Sequence, residues 1–206
     1  MSRCRVSVTP FAAVLYSLWF YFDRSGWFSA AVPAAAAHEL GHCLALGLCG
    51  GRLRELRLEC AGLCMDVTGI EGPDKEILVL LGGPAVGLLW AWIAHRMGTE
   101  WGEKSAAAAL ILNGFNLLPA LPLDGGRIAA ALWKNHAVTA VLSGSIAAML
   151  IIGAILLHIW ALLLPAALIV TEGIRQGFPS ACLPLFAPAG RSEPERRKGS
   201  WRSRFE

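Results

Sequence analysis

Two long stretches of this sequence contain almost no charge. From Ser25 to Gly51 the only formal charge is Glu39, and between Lys104 and Arg127 it is Asp124. Over all 206 residues only 16% are charged while 55% are hydrophobic, a balance that a water-soluble domain rarely shows. No internal repeat stands out, so one domain suffices. Cys60 and Cys64 form a C-x3-C pair, but there is no second pair to complete a zinc-ribbon pattern. They read as small apolar residues in a hairpin.

What is abundant is apolar run length. The runs are Val8–Phe22, Trp27–Cys49, Ile77–Ala94, Ala106–Leu118, Ala137–Leu157 and Ile159–Val170. A helix needs ~20 apolar residues to cross a bilayer core. The last two runs form a block of ~34 residues, or ~50 Å of helix, too long for one ~30 Å span, so a fold-back near His158 is expected. Basic residues set the orientation. With both termini cytoplasmic, only Arg24, Arg96 and Lys104 of the 18 Lys and Arg fall outside, which favours six spans. The fold expected is an all-α integral membrane protein of about six transmembrane helices, one of them broken.

The first run reads as an uncleaved span, although "SRCR" before it imitates a signal peptide. In this topology Cys4, Cys43, Cys49, Cys60, Cys64 and Cys182 lie in the membrane or on the reducing side, so thiols are expected. Residues 1–178 form the membrane domain, and 179–206, rich in Pro, Arg and Ser, read as a flexible basic cytoplasmic tail. In residues 51–76, Leu56, Leu58 and Cys60 alternate with Arg57 and Glu59, and "AGL" turns toward Cys64–Thr68. This period of two predicts a small membrane-surface β-hairpin. Its edge either pairs with an extended peptide or serves as a plain connector.

An ionisable group deep in an apolar run is costly and generally has a partner or a task. Glu39 lies in "HELGH", where His38 and His42 are four residues apart, share one helix face and can hold one metal ion. Pro33 suits a first helical turn or a mild kink. Catalytic zinc sites have three protein ligands and one open position. The candidates for the third are His95, His136, His158, Asp66, Glu172 and Asp124. The first five fall at span ends, in loops or in the hairpin. Asp124 alone combines membrane depth with a helix that Pro119 and Pro122 break, followed by the turn-forming Gly125 and Gly126.

"HELGH" followed by "NLLPALPLDGG" resembles the motif pair of the site-2 protease family of intramembrane zinc metalloproteases. The match includes Asn116, Pro119, Pro122, Leu123, Asp124, Gly125 and Gly126. "GGPAVG", residues 82–87, is similar to the family's Gly-Pro element, with Gly87 where the family often has Asn. The likeness covers roughly residues 8–175, and the compact plan is similar to the sporulation-protein branch. It implies one Zn²⁺ held by His38, His42 and Asp124, with Glu39 as the catalytic base. It implies hydrolysis of membrane-tethered proteins, as in regulated cleavage of a transcription-factor precursor or its inhibitor. Asn116 is expected to hydrogen-bond substrate or oxyanion, and Asn113 either does likewise or joins helices. Partners expected are a membrane protein substrate, the bilayer and a regulatory membrane protein; no nucleic acid, CBS domain or PDZ domain is expected.

Two other readings use the same residues. A metal transporter or sensor would need ligands trailing across several spans. A noncatalytic relative would bind helices without cleaving them.

Overall fold

Pairing with a later strand sets the first element near the N-terminus. The computed structural model describes residues 5–59, 62–133, 136–159 and 162–176. In it Arg5–Val8 is a strand, β1, where the sequence reading started a span at Val8. Thr9 is extended and Pro10 opens helix α1, Pro10–Phe22, since proline needs no N–H donor in the first turn. Asp23 accepts hydrogen bonds from the Ser29 N–H and the Ser25 hydroxyl, anchoring the start of α2, Trp27–Leu48. Pro33 lies inside α2, beyond its first turn.

The hairpin is present, as β2 (Arg52–Glu59) antiparallel to β3 (Gly62–Thr68). β1 adds in parallel to β2, pairing Val6 with Leu56 and Val8 with Leu58. The sheet therefore has three strands, ordered β1-β2-β3, and β2 is central with no free edge. Hydrogen bonds from Arg57 and Ser7 hold the Glu55 carboxyl below its ordinary pKa.

Helix α3, Pro73–Arg96, starts with Pro73 and carries Asp74 and Glu76 in its first turn, where negative charge suits the helix dipole. α4 spans Glu100–Asn116, and the Thr99 hydroxyl accepts from the Gly102 N–H at its start. It begins before the apolar run because that cap satisfies an otherwise unpaired donor. A non-helical link through Pro119 and Pro122 leads to α5, Asp124–Trp133. The broken helix expected here is two helices, and α5, at ~15 Å, is too short to span a bilayer. α6, His136–Leu157, ends before His158, whose φ is 56°. The chain then turns into α7, Leu163–Gln176, which packs on α6, realising the expected fold-back.

The packing is mostly helical and inverted relative to a soluble protein. Ala34, Ala91 and Ala109 pack where α2, α3 and α4 meet, while Leu81, Leu89, Trp92, Val141, Met149 and Leu156 point outward. Small residues between helices and large apolar ones outside suit lipid, where close backbone approach replaces the hydrophobic drive. Among the described residues, Pro73–Arg96 and Val138–Leu157 are long and apolar enough to cross a membrane. α1, α4 and α7 have 13, 17 and 14 residues. α2 has the length, at 22 residues, but carries His38, Glu39 and His42. The expected tail, and Cys4, Cys60 and Cys182, lie outside the described residues. Cys43 and Cys49 are reduced, in no disulfide.

Candidate metal centre

His38 and His42 lie four positions apart on α2, which puts both rings on the face toward α3 and α4. The rings stand at 90° with centroids 4.7 Å apart. Asp124 reaches the same point from the first turn of α5. Its Oδ2 lies 3.2 Å from His38 Nε2 and 3.3 Å from His42 Nε2, and the two Nε2 atoms are 3.1 Å apart. All three side chains are buried. Among the described residues this is the one cluster of His, Cys, Asp and Glu whose donor atoms converge in this way.

The outer hydrogen bonds decide what occupies the centre. His42 Nδ1 is 2.8 Å from the Val79 carbonyl, which can only accept, so Nδ1 carries the proton. His38 Nδ1 is 2.8 Å from Asn113 Oδ1. The Asn113 amide nitrogen donates to the Ala109 carbonyl at 2.7 Å, which orients the amide and makes its oxygen the acceptor. With Nδ1 of each ring turned to an outer acceptor, Nε2 of each faces inward, and in the neutral imidazole it does so as a bare lone pair. Facing them is Asp124 Oδ2, a buried oxygen with no hydrogen-bond partner. Two lone pairs and a carboxylate oxygen repel one another unless a cation lies between them. Ligands ~2.0–2.1 Å from a tetrahedral zinc stand ~3.3–3.4 Å apart, close to the separations seen. The donor set fits zinc.

Backbone proximity makes room for this arrangement. A Cβ at Gly83 would lie 2.9 Å from His38 Cε1 and would also strike His42. A Cβ at Gly82 would lie 2.6 Å from both the Ala45 Cβ and the Gly41 carbonyl oxygen, so α2 and α3 touch along glycine. At the start of α5, a Cβ on Gly125 would be 2.6 Å from the Leu118 carbonyl oxygen. The "DGG" glycines thus let α5 close onto the link that delivers Asp124. That link is tied to α6, because the Leu121 N–H donates to Ser143 Oγ at 3.0 Å.

Glu39 is half-buried beside His38, with Oε2 fully buried and, among the described residues, unpaired. Asn116 Nδ2 stands 3.5 Å from His38 Nε2, at the rim of the cluster. Of the other third-ligand candidates, His95 is exposed and pairs with Glu103, Asp66 is exposed on β3, and His158 is exposed after α6. The side chains of His136 and Glu172 lie outside the description. Sequence reasoning missed the roles of Val79, Gly83 and Ser143. For Asn113 it left helix joining open, and the residue does bridge α4 to α2 through a centre residue. Its place one turn before Asn116 was the available signal.

No family sequence profile matches the chain. It is 32% identical over 117 aligned positions to the candidate zinc metalloprotease Rip3 of two Mycobacterium tuberculosis strains, covering 48% of this chain. The match spans 29% of the length of those curated relatives. Among solved structures, the site-2 protease of Methanocaldococcus jannaschii superposes with a TM-score of 0.66, covering 91% of this chain and 97% of that one. At 19% identity this is a likeness of fold. The sequence match reaches less than half of this chain and the structural likeness is one of fold, and both fall on a chain in which the donor atoms of His38, His42 and Asp124 converge.

Proposed function

We propose that the protein is an intramembrane zinc metalloprotease that hydrolyses peptide bonds of membrane-associated or membrane-tethered proteins. The observation that carries this reading is the convergence of His38 Nε2, His42 Nε2 and Asp124 Oδ2 within 3.1–3.3 Å of one another, with each Nδ1 turned to an outer acceptor. Zinc, when bound there by His38, His42 and Asp124, supplies Lewis-acid chemistry and lowers the pKa of a water toward ~7. The Glu39 carboxylate, adjacent in sequence and with a free buried oxygen, takes the water's proton and returns it to the leaving amine. Asn116, at the rim, offers an amide N–H to the substrate carbonyl or the developing oxyanion. A substrate helix hides its peptide groups within its own hydrogen bonds and must unwind locally before it can react.

Residues 1–178 act as one membrane domain of six spans with both termini cytoplasmic, followed by a basic tail at 179–206. The charge distribution supports that orientation. A membrane protein substrate in the bilayer, regulated through another membrane protein, follows from the same reading. Confinement of the metal-ligating groups to one cluster among the described residues favours hydrolysis over transport, which needs ligands along a path.

The test is Glu39→Gln in the full chain, co-expressed with tagged membrane proteins of the host. Zinc content should match the unaltered protein while fragment production falls at least ~100-fold, the scale of general-base loss. Fragments produced at the normal rate would remove Glu39 from the chemistry.

A further inference from the structure

Gly83 and Gly87 lie one turn apart on α3, and each faces a polar group of the centre. Gly83 faces the two imidazoles. Gly87 faces Asn113, and a Cβ built on Gly87 would overlap the Asn113 carboxamide, meeting Nδ2, Oδ1 and Cγ, the last at 2.6 Å. Its separations from Nδ2 and Oδ1 are close to those an asparagine Cβ keeps from its own amide atoms. A side-chain amide at 87 would thus occupy the space now filled from α4. Asn113 is fully buried, so nothing but a neighbouring side chain competes for that space.

We propose that Asn113 is the positioning residue for His38, and that Gly87 and Asn113 form one exchangeable unit supplying a single amide to the metal centre. The Asn113 amide does two things at once. Its Nδ2 donates to Ala109 O, which prevents the amide from flipping, and its Oδ1 receives the proton of His38 Nδ1. That proton location leaves Nε2 bare. Without the acceptor, the proton is free to sit on Nε2 and close one metal-binding position. Glycine at 87 is the spatial condition for this, because any side chain there would expel the amide. The interaction therefore belongs to the pair of helices and not to one residue, and it can be moved from α4 to α3.

This inference rests on the metal-centre reading, so the experiment separates the two. Full-length protein in detergent is compared with Asn113→Leu, which keeps apolar volume, with Asn113→Ala, and with Gly87→Asn/Asn113→Ala. Zinc affinity is measured by chelator competition, and the His38 imidazole tautomer by ¹⁵N shifts of metal-free protein, assigned with a His38→Gln control. Both single variants should bind zinc about 10–100-fold more weakly, the usual cost of losing an outer hydrogen bond to a ligand. Each should also lose the pure Nδ1–H signature. The double variant should recover at least about tenfold in affinity and regain the signature. Helix content by circular dichroism confirms that each variant is folded.

Affinity and tautomer unchanged in the folded Asn113→Leu form would overturn the positioning role. A folded double variant no better than Asn113→Ala would overturn the exchange. If the unaltered protein holds no zinc, the metal reading fails, and the imidazole spectra still decide the Asn113 claim.

Discussion

Replacing Gly83 with alanine puts one methyl group between α3 and the histidine pair. Its carbon would stand 2.5 Å from His42 Cε1 and 2.9 Å from His38 Cε1. Carbon atoms prefer about 3.5 Å or more, so the rings must retreat by roughly 0.6–1.0 Å. A metal site tolerates displacements of about 0.2 Å. Overfilling a packed core costs about 1–3 kcal/mol. Because the methyl meets the ligands themselves, that cost falls on metal binding, which makes zinc roughly 5- to 150-fold weaker. In the metal-free protein the rings can swing away, and alanine gains about 0.5–1 kcal/mol of helix propensity over glycine. Metal-free thermal stability should therefore hold or rise while zinc affinity falls. Chelator competition and melting curves of the full chain in detergent measure the two quantities. Gly114→Ala on α4 is the control, since a Cβ there meets nothing within 4 Å, and it should keep full affinity. A Gly83→Ala protein with unaltered zinc affinity would refute the close packing of α3 on the two imidazoles.

Asp124→Asn removes the carboxylate charge but keeps the shape. Bound zinc, measured by elemental analysis after dialysis, should fall at least about tenfold, and unchanged content would point to another third ligand. Ser143→Ala leaves the Leu121 N–H without its acceptor, at a cost of about 1–3 kcal/mol. A lower melting midpoint with zinc still bound is expected, because Ser143 supports the link and does not touch the centre. An unchanged midpoint would show that α6 does not clamp that segment.

Much of this centre was legible in the residue order because its parts are local. Two histidines four apart define one helix face wherever the helix lies. Asp124 stood out because a charge in an apolar run has few other uses, and Pro119 and Pro122 marked the break. The hairpin was legible from its period of two. β1 was not, because four residues before an apolar helix carry too little pattern, and what makes them a strand is the parallel partner β2. α5 was hidden for a similar reason. Ten residues after a break do not announce a helix until the link packs against their glycines.

Composition and spacing alone determined that this chain is largely helical and apolar, that it carries a metal-binding pair, and that one distant acid is the strongest third ligand. Only the tertiary structure decided that the three donor atoms meet with each Nδ1 turned outward. That orientation depends on Val79 O and Asn113 Oδ1, acceptors from two other helices, and on glycines that allow those helices to approach. Such proximities between segments far apart in the chain leave no periodic trace in sequence, whereas the spacing of residues along one helix does.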